Sequence, residues 1–205
     1  EVIPYLDLII NDAKETSSVN TIYLNNDNKL VGDNTDVYGF EKSFINNLDD
    51  KNLIGKNFFI IGAGGVSPSL IYALAKKKIN KIFISNRTHQ KAEDIKKKFP
   101  FIETVPWEHV AQKSEEVDVI INATSLGMKN EINFNIIIEK FKPGLIYYDV
   151  VYNPLVTKML KSFKEKNLRT FNGLEMFLFQ GQKSFFLWNK ITPIVDEELK
   201  KEIIL

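Results

Sequence analysis

The glycine turn Gly62-Ala63-Gly64-Gly65 constrains the fold more than any other feature of this 205-residue chain. The apolar run 57–61 leads into it, and residues 67–78 follow with apolar side chains at helical spacing. Glycine allows a backbone to turn sharply and to approach a pyrophosphate closely, while the amino end of a helix offers free N–H groups and the positive end of its dipole. A strand, a glycine turn and a helix in this order therefore predict the first βαβ unit of a dinucleotide-binding domain.

Strand and helix patterns alternate along the chain from residue 57 onward. Such an alternation is typical of the α/β class, with a doubly wound parallel Rossmann sheet that has helices on both faces. The predicted strands are 57–61, 81–85, 102–105, 117–121, 145–149 and 169–171. The predicted helices between them are 67–78, 88–99, 107–113, 134–141 and 154–166.

The two ends of the chain follow a different pattern, which indicates remnants of a smaller α/β substrate-binding domain that flank the sheet. Ligand sites commonly lie in the cleft between two such units. The predicted elements are a helix over 1–13, a hairpin of strands 19–25 and 29–32 around Asn26-Asp27-Asn28, and helices over 36–48 and 174–188. The expected division is a substrate-domain remnant over 1–36, a nucleotide-binding Rossmann domain over 37–171, and C-terminal helices over 172–205 that return to the substrate domain.

The segment Asn86-Arg87-Thr88, at the end of the second predicted parallel strand, indicates which dinucleotide binds. NAD sites usually have an acidic residue about 20 residues past the first glycine, where it holds the ribose 2′-hydroxyl. Here no Asp or Glu lies between the end of this strand and Glu93. Arg87 is one of only two arginines among the 27 basic residues. A guanidinium binds phosphate through its planar fork and stacks on adenine. We therefore expect NADP, and the competing interpretation is a surface arginine at a helix start.

Composition narrows the class of partner. The 27 basic and 26 acidic residues nearly cancel, which argues against nucleic acid or an anionic membrane as partner. The chain has no cysteine, and no apolar run approaches the roughly 20 residues of a membrane-spanning helix. We expect a cytoplasmic protein, a monomer or homodimer, that acts on a small-molecule substrate.

Six motifs in a fixed order resemble the shikimate dehydrogenase family, and the resemblance extends from Val2 to about Trp188. Two of them are the glycine turn and Asn86-Arg87-Thr88. The other four are Val19-Asn20-Thr21 with Gly32-Asp33-Asn34-Thr35-Asp36, Asn122-Ala123-Thr124-Ser125-Leu126-Gly127-Met128, Asp149-Val150-Val151-Tyr152-Asn153-Pro154, and Gly173-Leu174-Glu175-Met176 with Gln180-Gly181. Single matches of this kind are weak evidence, whereas their common order is specific.

The resemblance implies an NADP-dependent oxidoreductase that interconverts shikimate and 3-dehydroshikimate by hydride transfer, in the biosynthesis of chorismate and the aromatic amino acids. No metal site is implied. The implied substrate-binding residues are Asn20, Asp36, Tyr152 and Gln180, and Asp36 is also the implied catalytic residue, which assists proton transfer. The implied cofactor-binding residues are Gly62, Ala63, Gly64, Gly65, Asn86, Arg87, Thr88, Lys91, Asn122, Thr124, Ser125, Met128, Val151, Gly173 and Met176.

Some of these assignments compete with a purely structural role. Asn34-Thr35 before Asp36 suits an N-cap cluster for the helix that follows, and we expect both capping and catalysis there, with Asp36 as the cap alone as the competing interpretation. Met128 and Met176 suit an apolar core, and Tyr152 suits packing at a strand exit. At the level of the whole protein, the alternatives are a quinate/shikimate dehydrogenase that uses NAD(P) and a noncatalytic NADP-binding module.

Three departures from the family pattern concern single positions or segments. The family's Ser-x-Ser pair and its Asn-x-Thr-x-Pro-x-Lys segment, whose lysine is the main acid/base group, would precede Glu1, and no lysine here matches that position. The resemblance thus implies a fragment that binds NADP and turns over shikimate weakly or not at all. Lys91 stands where many relatives have a second arginine, and Phe177 replaces the more usual leucine beside Met176.

Overall fold

The computed structural model of the chain describes residues 2–48, 53–128 and 140–203. Its strands are β1 Leu8–Ile9, β2 Thr21–Leu24, β3 Leu30–Asp33, β4 Asn57–Ile61, β5 Lys81–Ser85, β6 Glu103–Thr104, β7 Val119–Asn122, β8 Ile146–Asp149 and β9 Arg169–Phe171. Its α-helices are α1 Asn11–Thr16, α2 Asp36–Phe40, α3 Asn46–Leu48, α4 Ser67–Ala75, α5 His89–Lys98, α6 Val110–Ser114, α7 Lys158–Glu165, α8 Leu174–Asn189 and α9 Glu197–Ile203. A π-helical turn, Glu41–Ile45, joins α2 to α3, and 3-10 turns occupy Ile3–Tyr5 and Trp107–His109.

Strands β4 to β9 form a six-stranded sheet in the order β6-β5-β4-β7-β8-β9, and every neighbouring pair in it is parallel. Within this sheet, β4 lies at the centre, β5 and β6 extend the sheet to one side, and β7, β8 and β9 extend it to the other. This strand order confirms the predicted doubly wound Rossmann sheet, in which ligands bind where the order reverses, here between β4 and β7. The register pairs Ile61 with Asn122 and Asn122 with Asp149, so the loops after β4, β7 and β8 leave the same edge.

Both faces of this sheet are covered, as the predicted fold class requires. Alternate residues of β4 point to opposite sides: Phe58 and Ile60 belong to one buried cluster, and Phe59 and Ile61 to the other. The first cluster also contains buried residues of α2, α4 and α5, and the second contains buried residues of α6 and α7. Two-sided burial explains why the strand sequence is a continuous apolar run rather than an alternating one.

The predicted N-terminal helix over 1–13 is wrong. Leu8 and Ile9 instead form β1, which pairs in parallel with Val31 and Gly32 of β3, and α1 begins only at Asn11. The backbone N–H and C=O groups of this segment are thus used by a strand that is distant in the chain, a contact that local periodicity does not reveal. The predicted hairpin is confirmed, since β2 pairs antiparallel with β3 to complete a three-stranded sheet in the order β1-β3-β2.

The other helix predictions that fall on described residues are confirmed with shifted ends, and the one over 107–113 begins with the 3-10 turn before α6. The helix predicted over 154–166 starts only at Lys158, because Thr157 caps it and accepts a hydrogen bond from Leu160 N at 3.2 Å. The predicted helix 36–48 is present and contains the π-helical turn. The prediction over 134–141 falls largely outside the described residues.

Helix α8 links the two sheets. At its carboxyl end, the hydroxyls of Ser184 and Thr21 hydrogen bond at 2.7 Å, and Trp188 Nε1 donates to the Ile22 carbonyl at 2.9 Å. At its amino end it packs closely on α2, where a Cβ at Gly39 would lie 2.7 Å from the Met176 carbonyl oxygen. Because α8 is held at both ends, its middle turn is fixed relative to the small sheet and to the edge of the large one.

Candidate active site between the two sheets

The glycine turn is tightly packed at Gly62 and open at Gly65. Gly62 has φ +117°, and a Cβ there would lie 2.6 Å from the Ala123 carbonyl oxygen, so only glycine fits. The Gly62 N–H donates to the Ser85 carbonyl at 2.7 Å, and the Gly62 carbonyl accepts from Ser67 Oγ at 2.9 Å. Gly64 and Gly65 lie at the amino end of α4, and a Cβ at Gly65 would meet no atom within 4 Å. The turn therefore leaves room for an anionic group beside a helix amino end.

The loop after β5 is tied to this turn by Asn86. Ala63 N donates to Asn86 Oδ1 at 3.1 Å, while Asn86 Nδ2 donates to the Thr88 carbonyl at 2.9 Å. Arg87, Thr88 and Lys91 are exposed at the start of α5. The positively charged side chains of Arg87 and Lys91 thus lie on the solvent side of the loop, and Asn86 connects the loop to the glycine turn.

A cavity of about 530 Å³ opens at the carboxyl ends of β7 and β8. Four of the sequence-predicted residues line it together, namely Thr124, Met128, Val151 and Tyr152. Met128 is 41% exposed, so the alternative of a core methionine does not apply to it. Ser125, also exposed, lies on the same loop. The sequence missed three further lining residues, Val150, Asn153 and Pro154, although all of them belong to a motif that it singled out.

Gly173 closes one side of this region. Its N–H donates to the Val151 carbonyl at 3.1 Å, and a Cβ there would lie 1.9 Å from the Val150 carbonyl oxygen. No other residue type fits so close an approach, which explains why a glycine precedes α8 at this point.

Two of the implied cofactor residues lie beneath the surface. Asn122 is fully buried, and its amide donates to Leu126 O and to Asp149 Oδ1, both at 3.0 Å. Its Oδ1 accepts from the N–H and hydroxyl of Thr124, at 3.0 and 2.7 Å. Met176 is 4% exposed and belongs to the first apolar cluster, as the alternative interpretation of a core methionine predicts. Both side chains support the walls of the site from within.

Asp149 is an organising residue that sequence reasoning did not assign. Its buried carboxylate accepts hydrogen bonds from Asn122 Nδ2 at 3.0 Å, Thr157 Oγ1 at 2.8 Å, Val151 N at 3.1 Å and Tyr147 OH at 3.3 Å. Burial raises the pKa of Asp149 to about 6, even though these donors favour the charged form. The available signal was an acidic residue at the end of an otherwise apolar strand, inside one of the motifs.

A polar cluster lies on the small-sheet side of the cleft. Asn20 Nδ2 donates to Asp36 Oδ1 at 2.8 Å, and Asn20 Oδ1 accepts from Thr35 N at 2.9 Å. Thr35 Oγ1 in turn donates to Gln180 Oε1 at 3.3 Å. Three of the four implied substrate residues, Asn20, Asp36 and Gln180, are thus joined in one network.

Asp36 keeps its carboxylate available because a neighbour caps the helix. Asn34 Oδ1 accepts from the N–H groups of Asp36 and Val37, at 3.0 and 3.3 Å, so the alternative that Asp36 serves as the cap is wrong. Burial raises the pKa of Asp36, and the hydrogen bond from Asn20 lowers it in part.

Tyr152 is the fourth implied substrate residue, and it reaches the polar cluster through α8. Its ring stacks on Phe177, with centroids 4.3 Å apart and planes at 16°. The Phe177 carbonyl accepts from Gln180 Nε2 at 3.0 Å. The cavity and the polar cluster therefore meet within one helical turn of α8.

The described residues offer neither a metal centre nor a membrane span. Within residues 2–48, 53–128 and 140–203, no group of three or more His, Asp and Glu side chains could hold a metal ion. The helices of this described portion include none long and apolar enough to cross a membrane.

Comparison with known proteins decides the family. A sequence profile described as Shikimate / quinate 5-dehydrogenase matches residues 45–141. The NADP(+) shikimate dehydrogenase of Pelagibacter ubique (strain HTCC1062) is 46% identical over 197 residues, which cover 96% of this chain and 72% of that protein. The chain belongs to the shikimate dehydrogenase family. The resemblance predicted from the motifs is thereby confirmed.

Solved shikimate dehydrogenases have the same fold. The enzyme from Aquifex aeolicus superposes with a TM-score of 0.82 at 38% identity, over 98% of this chain and 71% of that chain. Shikimate 5-dehydrogenase from Thermus thermophilus, solved in complex with NADP(H) and shikimate, superposes with a TM-score of 0.79 at 29% identity. The match covers 99% of this chain and 73% of that chain.

Proposed function

We propose that this member of the shikimate dehydrogenase family transfers a hydride between NADP(H) and shikimate or 3-dehydroshikimate, in the pathway to the aromatic amino acids. One observation carries the proposal. Phe177 contacts Tyr152 of the cavity through its ring and Gln180 of the polar cluster through its carbonyl. A nucleotide-sized cavity and a set of hydroxyl-binding side chains thus adjoin each other, as a hydride transfer between two bound molecules requires.

The nucleotide half of the site fits NADP. The space around Gly64 and Gly65 admits a pyrophosphate at the amino end of α4. Arg87 and Lys91 bind the adenosine 2′-phosphate, with Asn86 bracing their loop against the turn. When bound, the nicotinamide accepts or supplies the hydride. Thr124, Met128 and Val151 would hold that ring and exclude water from it.

The polar cluster binds the cyclic acid. Asn20, Asp36 and Gln180 hydrogen bond to substrate hydroxyls, because amides and a carboxylate supply donors and acceptors at fixed positions. The raised pKa of Asp36 brings the carboxylate closer to the working pH of a proton acceptor. We propose that Asp36 assists the movement of the hydroxyl proton and that the main acid/base lysine implied by the family has no counterpart among the residues of this cluster.

The domain division over 1–36, 37–171 and 172–205 is part of the proposal. Its support is that β1 to β3 lie before Asp36, β4 to β9 lie between Asn57 and Phe171, and α8 begins at Leu174. A cytoplasmic location and a monomeric or homodimeric state remain predictions from the sequence.

Isothermal titration of the 205-residue chain tests the two halves of the site separately. We expect NADP+ to bind at least about tenfold more tightly than NAD+, because the 2′-phosphate adds charge-assisted hydrogen bonds. In the presence of NADP+, shikimate is expected to bind more tightly than quinate. Tighter quinate binding with NAD+ would favour a quinate/shikimate dehydrogenase, an activity that the family description also names. NADP+ binding without either acid would favour a noncatalytic module.

A further inference from the structure

Phe177 occupies a position that the sequence did not explain. Its ring lies nearly parallel to that of Tyr152, 4.3 Å away, and covers one face of the phenol. Tyr152 is still 39% exposed and lines the cavity, so its uncovered side remains open to a ligand. The more usual leucine has no flat face and cannot fix a phenol in this orientation.

The backbone of the same residue holds a second implied substrate contact, whichever side chain stands at position 177. The Phe177 carbonyl accepts from Gln180 Nε2 at 3.0 Å, while Gln180 Oε1 accepts from Thr35 Oγ1 at 3.3 Å. Both ends of the Gln180 amide are therefore engaged, which sets its rotamer and the assignment of its oxygen and nitrogen.

Helix α8 transmits this arrangement between the two parts of the molecule. Tyr152 follows β8 of the large sheet, whereas the carboxyl half of α8 is held on the small sheet by Ser184 and Trp188. The Phe177–Tyr152 stack is thus a contact between the nucleotide side and the substrate side of the cleft. A substrate that touches both sides depends on the spacing that this contact maintains.

We propose that Phe177 is a positioning residue for the cyclic acid, which acts through the ring of Tyr152 and affects substrate affinity more than nucleotide affinity. The proposal rests on the proposed function. It predicts a selective effect on the substrate half of the site, because aromatic stacking contributes beyond the apolar area that it buries. A residue with only a packing role would instead weaken both ligands and the fold together.

The test compares F177L with F177Y, which restores a flat ring, and with F185L, which changes an exposed phenylalanine about two turns further along α8. For each variant, titration calorimetry gives the Kd of NADP+ and the Kd of shikimate at saturating NADP+. We expect F177L to raise the shikimate Kd about three- to tenfold and to leave the NADP+ Kd within about twofold. F177Y and F185L are expected to resemble the wild type in both.

A double-mutant cycle with Y152L gives the second readout, and F177M, which also lacks a flat ring, replaces F177L in both tests if F177L folds poorly. In the Y152L background, F177L is expected to have no further effect on the shikimate Kd. An unchanged shikimate Kd in F177L, equal losses of NADP+ and shikimate affinity, or a full F177L effect in the Y152L background would each overturn the proposal. A wild-type chain that binds neither shikimate nor quinate would overturn the proposed function, and this inference with it.

Discussion

The side chains of Asn122 and Asp149 hydrogen bond at 3.0 Å and join the buried ends of β7 and β8 at the edge of the sheet where the cavity opens. Asn122 also holds Thr124, and Asp149 also holds Val151, so both cavity loops depend on this pair. A buried network of this kind is stable only when every member finds its partners. The cavity is therefore shaped from below by side chains that no ligand needs to touch.

The first prediction concerns the pH dependence that Asp149 introduces. Its pKa is about 6 in the folded chain, against an ordinary value of 3.8. Between these values the folded state retains a proton that the unfolded state has released, so this group makes stability fall as the pH rises from about 4 to 6. The effect amounts to at most about 3 kcal/mol of unfolding free energy.

Urea denaturation of the wild type and of D149N at several pH values measures this effect. The amide that D149N introduces does not titrate, so the fall between about pH 4 and 6 is expected to be shallower in the variant, whatever its absolute stability. D27N, which removes an exposed carboxylate in the turn between β2 and β3, is the control and is expected to retain the wild-type slope. Identical slopes in the wild type and D149N would show that Asp149 titrates normally.

The second prediction concerns the hydrogen bond between Asn20 and Asp36. This bond lowers a pKa that burial raises, so N20A is expected to raise the pKa of Asp36 further. Ligand binding that needs the carboxylate would then be lost at a higher pH as the solution is acidified. Carboxyl 13C NMR titration measures the pKa directly, and the pH profile of shikimate binding measures its consequence. N26A, in the exposed hairpin turn, is the control, and a lower or unchanged pKa in N20A would refute the assignment.

The third prediction uses the two arginines of the chain. R87A is expected to weaken NADP+ binding about 10- to 100-fold and to leave NAD+ binding within about twofold, because charge-assisted hydrogen bonds to the 2′-phosphate are lost. R169A is the matched control, since Arg169 Nη2 donates to the Asn47 carbonyl at 3.1 Å and its guanidinium stacks on Phe171. Calorimetry with both nucleotides decides the matter. Equal losses for NADP+ and NAD+ in R87A would place Arg87 elsewhere on the cofactor.

The fourth prediction compares Gly62, which the fold of the turn requires, with Gly65, which is proposed to face the pyrophosphate. G62A introduces both a collision with Ala123 and a strained φ, so it is expected to cost about 1–3 kcal/mol or more of stability. G65A has open space and is expected to change stability by less than about 0.5 kcal/mol. Because the pyrophosphate is proposed to lie beside Gly65, the added methyl group is expected to weaken NADP+ binding. Thermal denaturation and calorimetry measure the two effects. A G65A variant with wild-type NADP+ affinity would argue against the turn as the pyrophosphate site.

How far local patterns predict the fold depends on where each segment finds its partners. Strands β4, β5 and β9 begin and end at the predicted residues, because each is a short run bounded by turn residues and paired within the large sheet. The prediction for the N-terminal segment is wrong because Leu8 and Ile9 pair with β3 across the small sheet. Sequence spacing alone gives no sign of such a pairing.

For the candidate site, too, some features could be predicted from local sequence and others became visible only in the structure. The amino-acid sequence by itself determined the Rossmann class, the glycine turn and the choice of Arg87 as the residue expected to bind the 2′-phosphate, because each follows from the order and spacing of residue types along the chain. Only the tertiary structure decided that Asn122 is a buried support, that Asp149 organises both cavity loops and that Phe177 stacks on Tyr152. Those roles arise from contacts between residues far apart in the chain, where burial and partner geometry, rather than local spacing, set the energy of a side chain.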